Sequence, residues 1–407
     1  MSLVQPARAP THTHLGGALL GLTLAACASS EPTPAVDQAE SLLEAGEASG
    51  LMRLSEIQAL LEGSPRRYLV RDSTLVAPAP LTETVRLPGA PRAKSLDPFL
   101  EVSRAEGEVR LESHPPDDAL KPLFVQAGRA FAARDFFSAR RLYSKAVLAR
   151  PEYFKSYTYL GNTLYFMGRY VEAERALTRA LDLNPFDYQA YLFMGDTLHQ
   201  LGHYHRAKSV LLSAFMLNRD NGAVKERLQS TLAKVGLAVR EGRVAPPFRI
   251  EAAGEDEVII RLDARTGRRW YPLAACMACW AFEEGCAQRS TPEVDPLRLT
   301  MYRECLLNHA ASLAAREAPL SSGERSFLYA VEDGYLDAII FWEVIAERAP
   351  AITLLLPDEL RDRIRAYIDR YVLVSTQVVE RGAPASAPSW GLLEQVSKNR
   401  PEAWASR

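Results

Sequence analysis

One spacing recurs in the middle of the chain, where the same residue types return every 34 positions between Leu120 and about Arg219. The clearest unit places aromatic, aliphatic and small residues at fixed offsets: Tyr157, Leu160, Gly161, Leu164, Gly168, Tyr170, Ala173, Leu177, Ala180 and Pro185. The next unit repeats the same offsets: Tyr191, Met194, Gly195, Leu198, Gly202, Tyr204, Ala207, Leu211 and Ala214. Such a period is typical of stacked helical hairpins, each of which buries its apolar face against its neighbours.

A less regular unit precedes these two. Its matching residues are Phe124, Gly128, Phe131, Ala139, Ala146 and Pro151. They fit the period only if one residue is missing from the turn between the two helices, near Asp135. Small side chains such as Gly161 and Ala173 let two antiparallel helices approach closely, and Pro185 ends the second helix. Three units are about the minimum for a stable stack.

The middle unit resembles the tetratricopeptide repeat at nearly every signature position, which implies a stack of helix pairs. The chain departs from that pattern at Arg219, which stands where the closing proline is expected. A helix at 224–235, apolar at Leu228 and Leu232, is predicted to cap the last unit. The expected fold class is therefore mostly α: a short tetratricopeptide α-solenoid with a capping helix, followed by a small α+β module.

The resemblance also implies a binding surface. In this family the first helix of each unit lines a concave groove, and the ligands are usually peptides or partner helices. The repeat register assigns to that groove Val125, Arg129, Lys155, Thr158, Asn162, Tyr165, Phe166, Gln189, Leu192, Asp196 and His199. Aromatic, amide and charged groups together suit an extended peptide, because they bond its backbone and contact its apolar side chains. The alternative is that the C-terminal module packs against the repeats and buries the groove.

The start of the chain has the features of an export signal. The uncharged apolar run from Leu15 to Ala26 has about a dozen residues, too few to cross a bilayer but suited to a signal peptide. Its end, Leu24-Ala25-Ala26-Cys27, resembles the lipobox of bacterial lipoproteins, which implies that Cys27 carries the lipid and becomes the mature N-terminus. Ala28 stands where an Asp usually retains such proteins at the inner membrane, so the resemblance implies the outer membrane. The alternatives are an ordinary signal peptide or a chance cysteine.

These features divide the chain into five predicted parts: a lipoprotein signal peptide at 1–26, a lipid anchor and largely irregular tether at 27–117, three repeats with their capping helix at 118–238, an α+β module at 245–380, and a tail at 381–407. Frequent prolines interrupt the tether, apart from a short amphipathic helix beginning near Leu54.

The α+β module resembles no family that we recognise. Alternation at 248–252 and an apolar run at 258–262 predict a β-hairpin, which 268–271 would extend to a three-strand meander. Helices are predicted to follow. Among them, the stretch from Phe327 to Ile345 is apolar on most sides and is expected to be the central helix.

Four cysteines remain once Cys27 is assigned to lipid: Cys276, Cys279, Cys286 and Cys305. An exported location permits disulfides, and residues three apart on one regular helix rarely reach disulfide geometry. Cys276 or Cys279 is therefore expected to pair with Cys286 or Cys305. Buried free thiols, a zinc site and a redox-active pair are the alternatives, although the spacing lacks the second paired ligand knuckle of a zinc site. No bound metal is expected.

The net charge and the absence of catalytic motifs argue against several classes of function. A formal net charge of −2 gives no reason to expect nucleic acid as a partner. The sequence has no serine nucleophile elbow, paired-histidine zinc helix or phosphate-binding glycine loop, so neither a cofactor nor enzyme activity is expected.

The favoured function is a lipid-anchored, non-catalytic adaptor of the outer membrane with its domain in the periplasm. Its groove would bind a peptide or protein partner in an envelope assembly such as a pilus, motility, secretion or cell-wall machine. The alternative is an envelope enzyme, thiol-redox protein or metal protein that uses the region from Cys276 to Cys305 while the repeats recruit its substrate.

Overall fold

The computed structural model describes residues 50–79, 81–83, 96–105, 108–240, 244–291, 294–316, 318–349 and 351–376. The predicted signal peptide, the proposed lipid site at Cys27 and the predicted tail at 381–407 lie outside the described residues. The described chain is mostly helical, with a stack of helix pairs followed by a region that contains a few strands. The predicted fold class is confirmed.

The segment that precedes the repeats contains regular structure. Its elements are α1 (Leu54–Glu62), β1 (Arg67–Ser73), β2 (Leu100–Ala105) and β3 (Glu108–Ser113). Strands β2 and β3 pair antiparallel, with Leu100 opposite Ser113. In α1 the apolar residues Ile57 and Leu61 are buried, in agreement with the amphipathic pattern.

Three helix pairs and one further helix form the repeat region. They are α2 (Lys121–Ala132), α3 (Phe136–Ala149), α4 (Phe154–Phe166), α5 (Tyr170–Leu183), α6 (Tyr188–Gln200), α7 (Tyr204–Leu217) and α8 (Gly222–Lys234). A three-residue turn joins the helices of each pair, and its middle residue has a positive φ: 59° at Arg134, 73° at Gly168 and 76° at Gly202. These three residues are 34 positions apart, so the turn of the first unit has the same length as the others. The prediction of a missing residue near Asp135 is wrong.

The register of the first unit shifts by one residue as a consequence. Ala127, rather than Gly128, lies 34 positions before Gly161, and Ala127 is fully buried. A Cβ added at Gly161 would lie 2.5 Å from Cγ of Leu177, so a small residue is needed there for α4 to pack on α5. A Cβ added at Gly128 would have nothing within 4 Å. Gly128 is therefore not a packing position.

Helix α8 has the register of the first helix of a fourth unit. Gly236, with φ of 69°, lies 34 positions after Gly202 and occupies the same turn position. The chain then enters β4 (Leu237–Val239), which pairs antiparallel with β7 (Leu373–Ser375). The end of the stack is thus covered by the C-terminal region, and the buried Leu228 and Leu232 of α8 belong to the core that both regions share.

The C-terminal region contains two more strands and a set of helices. They are β5 (Phe248–Ala252), β6 (Glu257–Asp263), α9 (Tyr271–Phe282), α10 (Glu284–Ala287), α11 (Leu299–Ala314), α12 (Ser322–Glu332), α13 (Leu336–Ile339), α14 (Ala346–Arg348), α15 (Ile352–Leu355) and α16 (Asp358–Tyr367). Short π-helical segments, Ile340–Ile345 and Ile368–Val372, follow α13 and α16. The predicted single helix from Phe327 to Ile345 is interrupted, because Gly334 adopts φ of 77° in the turn between α12 and α13.

The sheet of this region takes its third strand from the predicted tether. β5 and β6 form the expected hairpin, but 267–270 is a 3₁₀ turn rather than a strand. Instead β1 pairs parallel with β6 over seven residues, in the order β1-β6-β5. The stretch 27–117 was predicted to be largely irregular, but Ile57 and Leu61 of α1 lie in the C-terminal core, and Tyr68 and Val70 of β1 pack against it.

Side chains also fix the backbone just before α1. The Met52 N–H donates to Oε2 of the buried Glu304 at 2.8 Å, and Nδ2 of Asn308 donates to the Met52 carbonyl at 2.9 Å. Both main-chain groups of one residue are thus bonded to α11. This pairing attaches the N-terminal end of the described chain to a helix more than 250 positions away in sequence.

Candidate functional site

The first helices of successive repeats lie beside one another, so that α4 contacts α6, and α6 contacts α8. We call the surface that these helices share the inner face. It contains the residues of α4 and α6 that the repeat register assigned to a groove. The structure divides the inner face into two parts with different properties.

The part near the N-termini of α4 and α6 is closed. The fully buried Nζ of Lys155 donates to Oδ1 of Asp187 at 2.8 Å and to Oε1 of Gln189 at 2.9 Å. The hydroxyl of Thr158, also fully buried, donates to Oδ2 of Asp187 at 2.6 Å. Burial lowers the pKa of the Lys155 ammonium, while the Asp187 carboxylate opposes this shift. These side chains satisfy one another inside the protein.

The β2–β3 hairpin covers this closed part. Nδ2 of Asn184 donates to the Leu100 carbonyl at 2.9 Å, and the Tyr153 hydroxyl donates to the His114 carbonyl at 2.9 Å. Leu192 lies in the core shared with the C-terminal region and is 8% exposed. The assignment of Lys155, Thr158, Gln189 and Leu192 to a partner-binding surface is therefore corrected, because they bond or pack within the chain.

The part of the inner face near the inter-helix turns is open and aromatic. Each repeat places one ring at the end of its first helix and another at the start of its second. The ring centroids are 5.4 Å apart for Phe131 and Phe136, 5.7 Å for Tyr165 and Tyr170, and 5.0 Å for His199 and Tyr204. Both positions recur every 34 residues, so the three pairs follow the axis of the stack. We call these six residues and Phe166 the aromatic edge.

Phe166 connects the first two pairs. Its ring stacks on Phe136, with centroids 5.5 Å apart, and meets Phe131 edge-on at 5.3 Å. It is nevertheless 53% exposed, and the neighbouring Phe137 and Val171 are 75% and 57% exposed. Large apolar side chains therefore face solvent on consecutive repeats. Such an arrangement can contact apolar side chains of a partner.

Polar groups of α6 and α8 border the aromatic edge. Nε of Arg227 lies 3.1 Å from Oδ1 of Asp196, and Nδ1 of His199 is 2.9 Å from the Thr231 hydroxyl. Burial raises the pKa of Asp196 to about 6, although Arg227 opposes the shift. Burial also lowers the pKa of His199. Asp196 and His199 thus lie at the open part with partners already in place.

Sequence reasoning missed the contribution of α8. Arg227 and Thr231 were not assigned to the groove, because α8 was interpreted as a cap rather than as a first helix. The signal that identifies it is Gly236, which continues the 34-residue spacing of Gly168 and Gly202. A fourth first helix extends the inner face beyond the third pair.

The shift in register also changes the assignments on α2. Arg129 is equivalent to Thr163 rather than to Asn162, and Val125 is equivalent to Tyr159 rather than to Thr158. Both Arg129 and Val125 are exposed, but neither occupies the predicted groove position. Of the predicted residues on α4, Tyr165 lies near α6: burial raises its pKa, and the neighbouring Asp196 carboxylate raises it further. Phe166 instead packs against Phe131 and Phe136 of the first repeat.

The four cysteines form two disulfides, Cys276 to Cys305 and Cys279 to Cys286. All four residues are fully buried. A thiolate can attack a disulfide only if it reaches a sulfur atom, so this arrangement does not favour the thiol-redox alternative. Among the described residues no group of three His, Cys, Asp or Glu side chains could hold a metal ion. Within the described chain no helix has the length and apolar character needed to cross a membrane.

The comparison with known protein families gives a match in the repeat region. Residues 167–232, from the turn before α5 into α8, match the family model of the tetratricopeptide repeat. These helices are tetratricopeptide repeats. A search of curated proteins finds no match to the chain.

Several solved structures are similar to the repeat region. The tetratricopeptide domain of Arabidopsis OM64 is 18% identical, with 28% of this chain and 94% of that chain covered and a TM-score of 0.27. The TPR2B domain of yeast Sti1, in its complex with pHsp70, is 16% identical, with coverages of 29% and 96% and a TM-score of 0.27. The type III secretion translocator chaperone SycD of Yersinia enterocolitica is 17% identical, with coverages of 30% and 96% and a TM-score of 0.28.

Proposed function

We propose that this protein is a non-catalytic adaptor that binds a peptide or protein partner along the open part of its inner face. The aromatic edge is the observation that carries the proposal. Three ring pairs recur at the repeat spacing, and Phe166 and Phe137 remain exposed although they are large and apolar. Exposed apolar side chains on consecutive repeats are costly in water and are typical of interaction surfaces.

The polar border gives such a surface a means of orienting its partner. Asp196, Asn162 and His199 present carboxylate, amide and imidazole groups beside the rings. A peptide backbone needs both donors and acceptors along its length, and side-chain amides supply both. Lys155 is excluded from this role because its side chain is fully buried. Asp196 and His199 remain partly exposed, although they bond to Arg227 and Thr231.

The cellular setting proposed here follows from the start of the sequence. Cys27 would carry acyl chains that anchor the protein to the outer membrane, with the described domain in the periplasm. Two or three acyl chains, at about 0.8 kcal/mol per buried methylene, hold a soluble domain at a bilayer. The partner would belong to an envelope assembly such as a pilus, motility, secretion or cell-wall machine.

Site-specific crosslinking tests the binding surface. A photoreactive phenylalanine at position 166 should crosslink a defined partner in cells, and Tyr165→Ala should abolish that crosslink without changing the melting temperature greatly. Leu148 is the matched control: it is 81% exposed and apolar, but lies eleven residues along α3 from Phe137, about 17 Å away. Equal crosslinking from positions 148 and 166 would contradict the proposal.

Fractionation tests the anchor separately. Cys27→Ser should move the protein from the outer-membrane fraction to the soluble fraction, or leave it uncleaved. A processed Cys27→Ser protein that remains in the outer-membrane fraction would refute lipidation at this residue, without bearing on the aromatic edge.

A further inference from the structure

The outward face of α3 combines exposed apolar and basic side chains. They follow one another at intervals of three or four residues: Phe137, Arg141, Lys145 and Leu148. At about 100° per residue these four lie within about 80° of one another around the helix, and they span about 17 Å along it. Phe137 and Leu148 are 75% and 81% exposed, and Arg141 and Lys145 are also exposed. We call these four residues the basic stripe.

The helices around the basic stripe supply no acidic residue to balance it. α2 and α4 pack against α3 in the stack, and none of the three helices contains Asp or Glu. From Lys121 to Arg150 the sequence has seven cations and a single acidic residue, Asp135. Hydrogen bonds from Ser138 lower the pKa of the Asp135 carboxyl, and Arg141 lowers it by a smaller amount. The first repeat therefore carries a strong excess of positive charge in a chain whose formal net charge is −2.

The cations of the stripe are not neutralised within the described part of the chain. Arg141 and Lys145 form no salt bridge with any residue that the structure describes. The nearby Arg150 differs, because it pairs with Asp117 at 2.7 Å and with Glu152 at 3.7 Å. The two acidic residues closest to the C-terminal end of α3 are thus already paired with Arg150.

The second repeat does not have the same charge. Its equivalent positions, 34 residues later, are also exposed: Val171, Arg175, Arg179 and Asp182. α5 contains three acidic residues and two cations, so it has no excess of positive charge. An aspartate also replaces the apolar Leu148. The basic stripe is therefore a property of the first repeat and is not required by the repeat fold.

The pattern of the stripe fits an anionic bilayer better than a peptide. Peptides bind at strand edges or in grooves between elements, whereas the stripe is the outer face of one helix. A bilayer supplies anionic headgroups over a wide area and an apolar layer beneath them, which suits cations interspersed with Phe and Leu. Near such a surface each Lys or Arg strengthens binding about fivefold, and the attraction falls off within about 8 Å at physiological salt.

We propose that the basic stripe contacts the surface of an anionic phospholipid bilayer, with Arg141 and Lys145 at the headgroups and Phe137 and Leu148 inserted at the boundary of the acyl layer. The acyl chains proposed at Cys27 would keep the protein near the bilayer, and the stripe would hold the domain in one orientation. This contact requires neither acylation nor any residue of the aromatic edge. In the crosslinking test above, a probe at Leu148 would label lipid and not the protein partner.

Vesicle binding tests this contact with the full chain. Every protein carries Cys27→Ser, so that no acyl chain contributes and all variants share one N-terminus. Co-sedimentation at physiological salt measures partitioning onto vesicles of phosphatidylcholine, alone or with about 30% phosphatidylglycerol. We expect the vesicles with phosphatidylglycerol to bind the protein at least tenfold more strongly than those without it.

The charge of the stripe is tested by a pair of double variants. Arg141→Gln with Lys145→Gln should weaken binding to the anionic vesicles at least tenfold, because two contributions of about fivefold are lost. Arg175→Gln with Arg179→Gln is the matched control. It removes the same charge from the equivalent exposed positions of the second repeat and should weaken binding less than threefold. Tyr165→Ala should abolish partner capture but leave vesicle binding unchanged, and circular dichroism checks that each variant is folded.

A fluorescent probe distinguishes a bilayer from an acidic protein as the occupant. With Cys27 replaced, the other four cysteines are held in disulfides, so Leu148→Cys can be labelled selectively with nitrobenzoxadiazole. Anionic vesicles should shift the emission of this probe to the blue, but not that of the equivalent control, Asp182→Cys. The proposal is overturned if phosphatidylglycerol does not strengthen binding, if Arg141→Gln with Lys145→Gln binds as tightly as the unchanged stripe, or if the probe at 148 does not respond. It is also overturned, in favour of an acidic partner, if polyglutamate shifts the emission at 148 and anionic vesicles do not.

Discussion

Two glycines in equivalent helices should respond to alanine in opposite directions. Gly128 in α2 and Gly161 in α4 both lie within the first helix of a repeat. A Cβ at Gly128 meets nothing within 4 Å, so Gly128→Ala retains only the gain in helix propensity, about 0.8–1.0 kcal/mol. The sign of this change depends on the register that the structure gives to the first repeat.

Gly161→Ala has the same propensity gain but a steric cost. The added Cβ would lie 2.5 Å from Cγ of Leu177, which is not the flexible end of that side chain. Helix α5 or the Leu177 rotamer must therefore move, and overpacking of this kind costs about 1–3 kcal/mol. The net result is a loss of up to about 2 kcal/mol. The two variants should differ by about 1–3 kcal/mol in their free energies of unfolding.

Urea unfolding followed by circular dichroism measures these free energies, and hydrogen exchange of amides in α2 and α4 assigns each change to its repeat. Ala127→Gly is the control, since it removes a fully buried methyl and should destabilise the first repeat. If Gly128→Ala destabilises the protein while Ala127→Gly leaves it unchanged, Gly128 is the packing position. The register of the first repeat described above would then be refuted.

Three further predictions concern single residues or one disulfide. Arg134→Gly should raise the free energy of unfolding by about 1 kcal/mol, measured in urea, because a non-glycine residue at φ of 59° is strained; no gain would contradict this. Asp196 should titrate near pH 6 in carboxyl ¹³C NMR, and at a higher pH in the Arg227→Gln variant. Because folding raises its pKa, its contribution to stability should fall as the pH rises from about 4 to 6. A measured pKa near 4 would refute this. Reducing Cys276–Cys305, which are 29 positions apart, should cost about 3–4 kcal/mol and lower the melting temperature, whereas an unchanged melting temperature would contradict this.

The repeat spacing was sufficient to predict the helix pairs, because periodic apolar and small residues determine local packing. It failed in the first unit for a specific reason. Arg134 occupies the turn position that glycine occupies in the other units, and Gly128 stands beside the true packing residue, Ala127. Aligning Gly128 with Gly161 therefore moved the first helix by one residue and assigned Arg129 to the groove.

Long-range pairing was beyond local sequence patterns. The hairpin of β5 and β6 follows from alternation and a short turn, but the parallel partner β1 lies 190 positions earlier. No local signal in Tyr68-Leu69-Val70 indicates which strand it joins. The prolines on either side suggested a tether. A short extended run between them is nevertheless sufficient to form β1 and to pair with the distant β6.

The burial of the closed part of the inner face also could not be predicted from local sequence patterns. Lys155 was assigned to a partner because the repeat register places it on the groove side of its helix. Asp187, at the start of the adjacent first helix, instead forms a fully buried ion pair with it. Removing one partner of such a pair costs several kcal/mol, so Lys155 and Asp187 contribute to the position of α6 beside α4.

This division of the inner face sets the size of the segment that the aromatic edge can hold. The hairpin covers the N-terminal ends of the first helices, so a partner has to approach from the side of the inter-helix turns. Packed helices lie about 8–10 Å apart, which makes the three ring pairs span about 20 Å. An extended chain covers that distance with about six residues at 3.3–3.6 Å each. A partner segment shorter than this cannot contact Phe131 and Tyr204 together, and its affinity should therefore depend on fewer of the ring pairs.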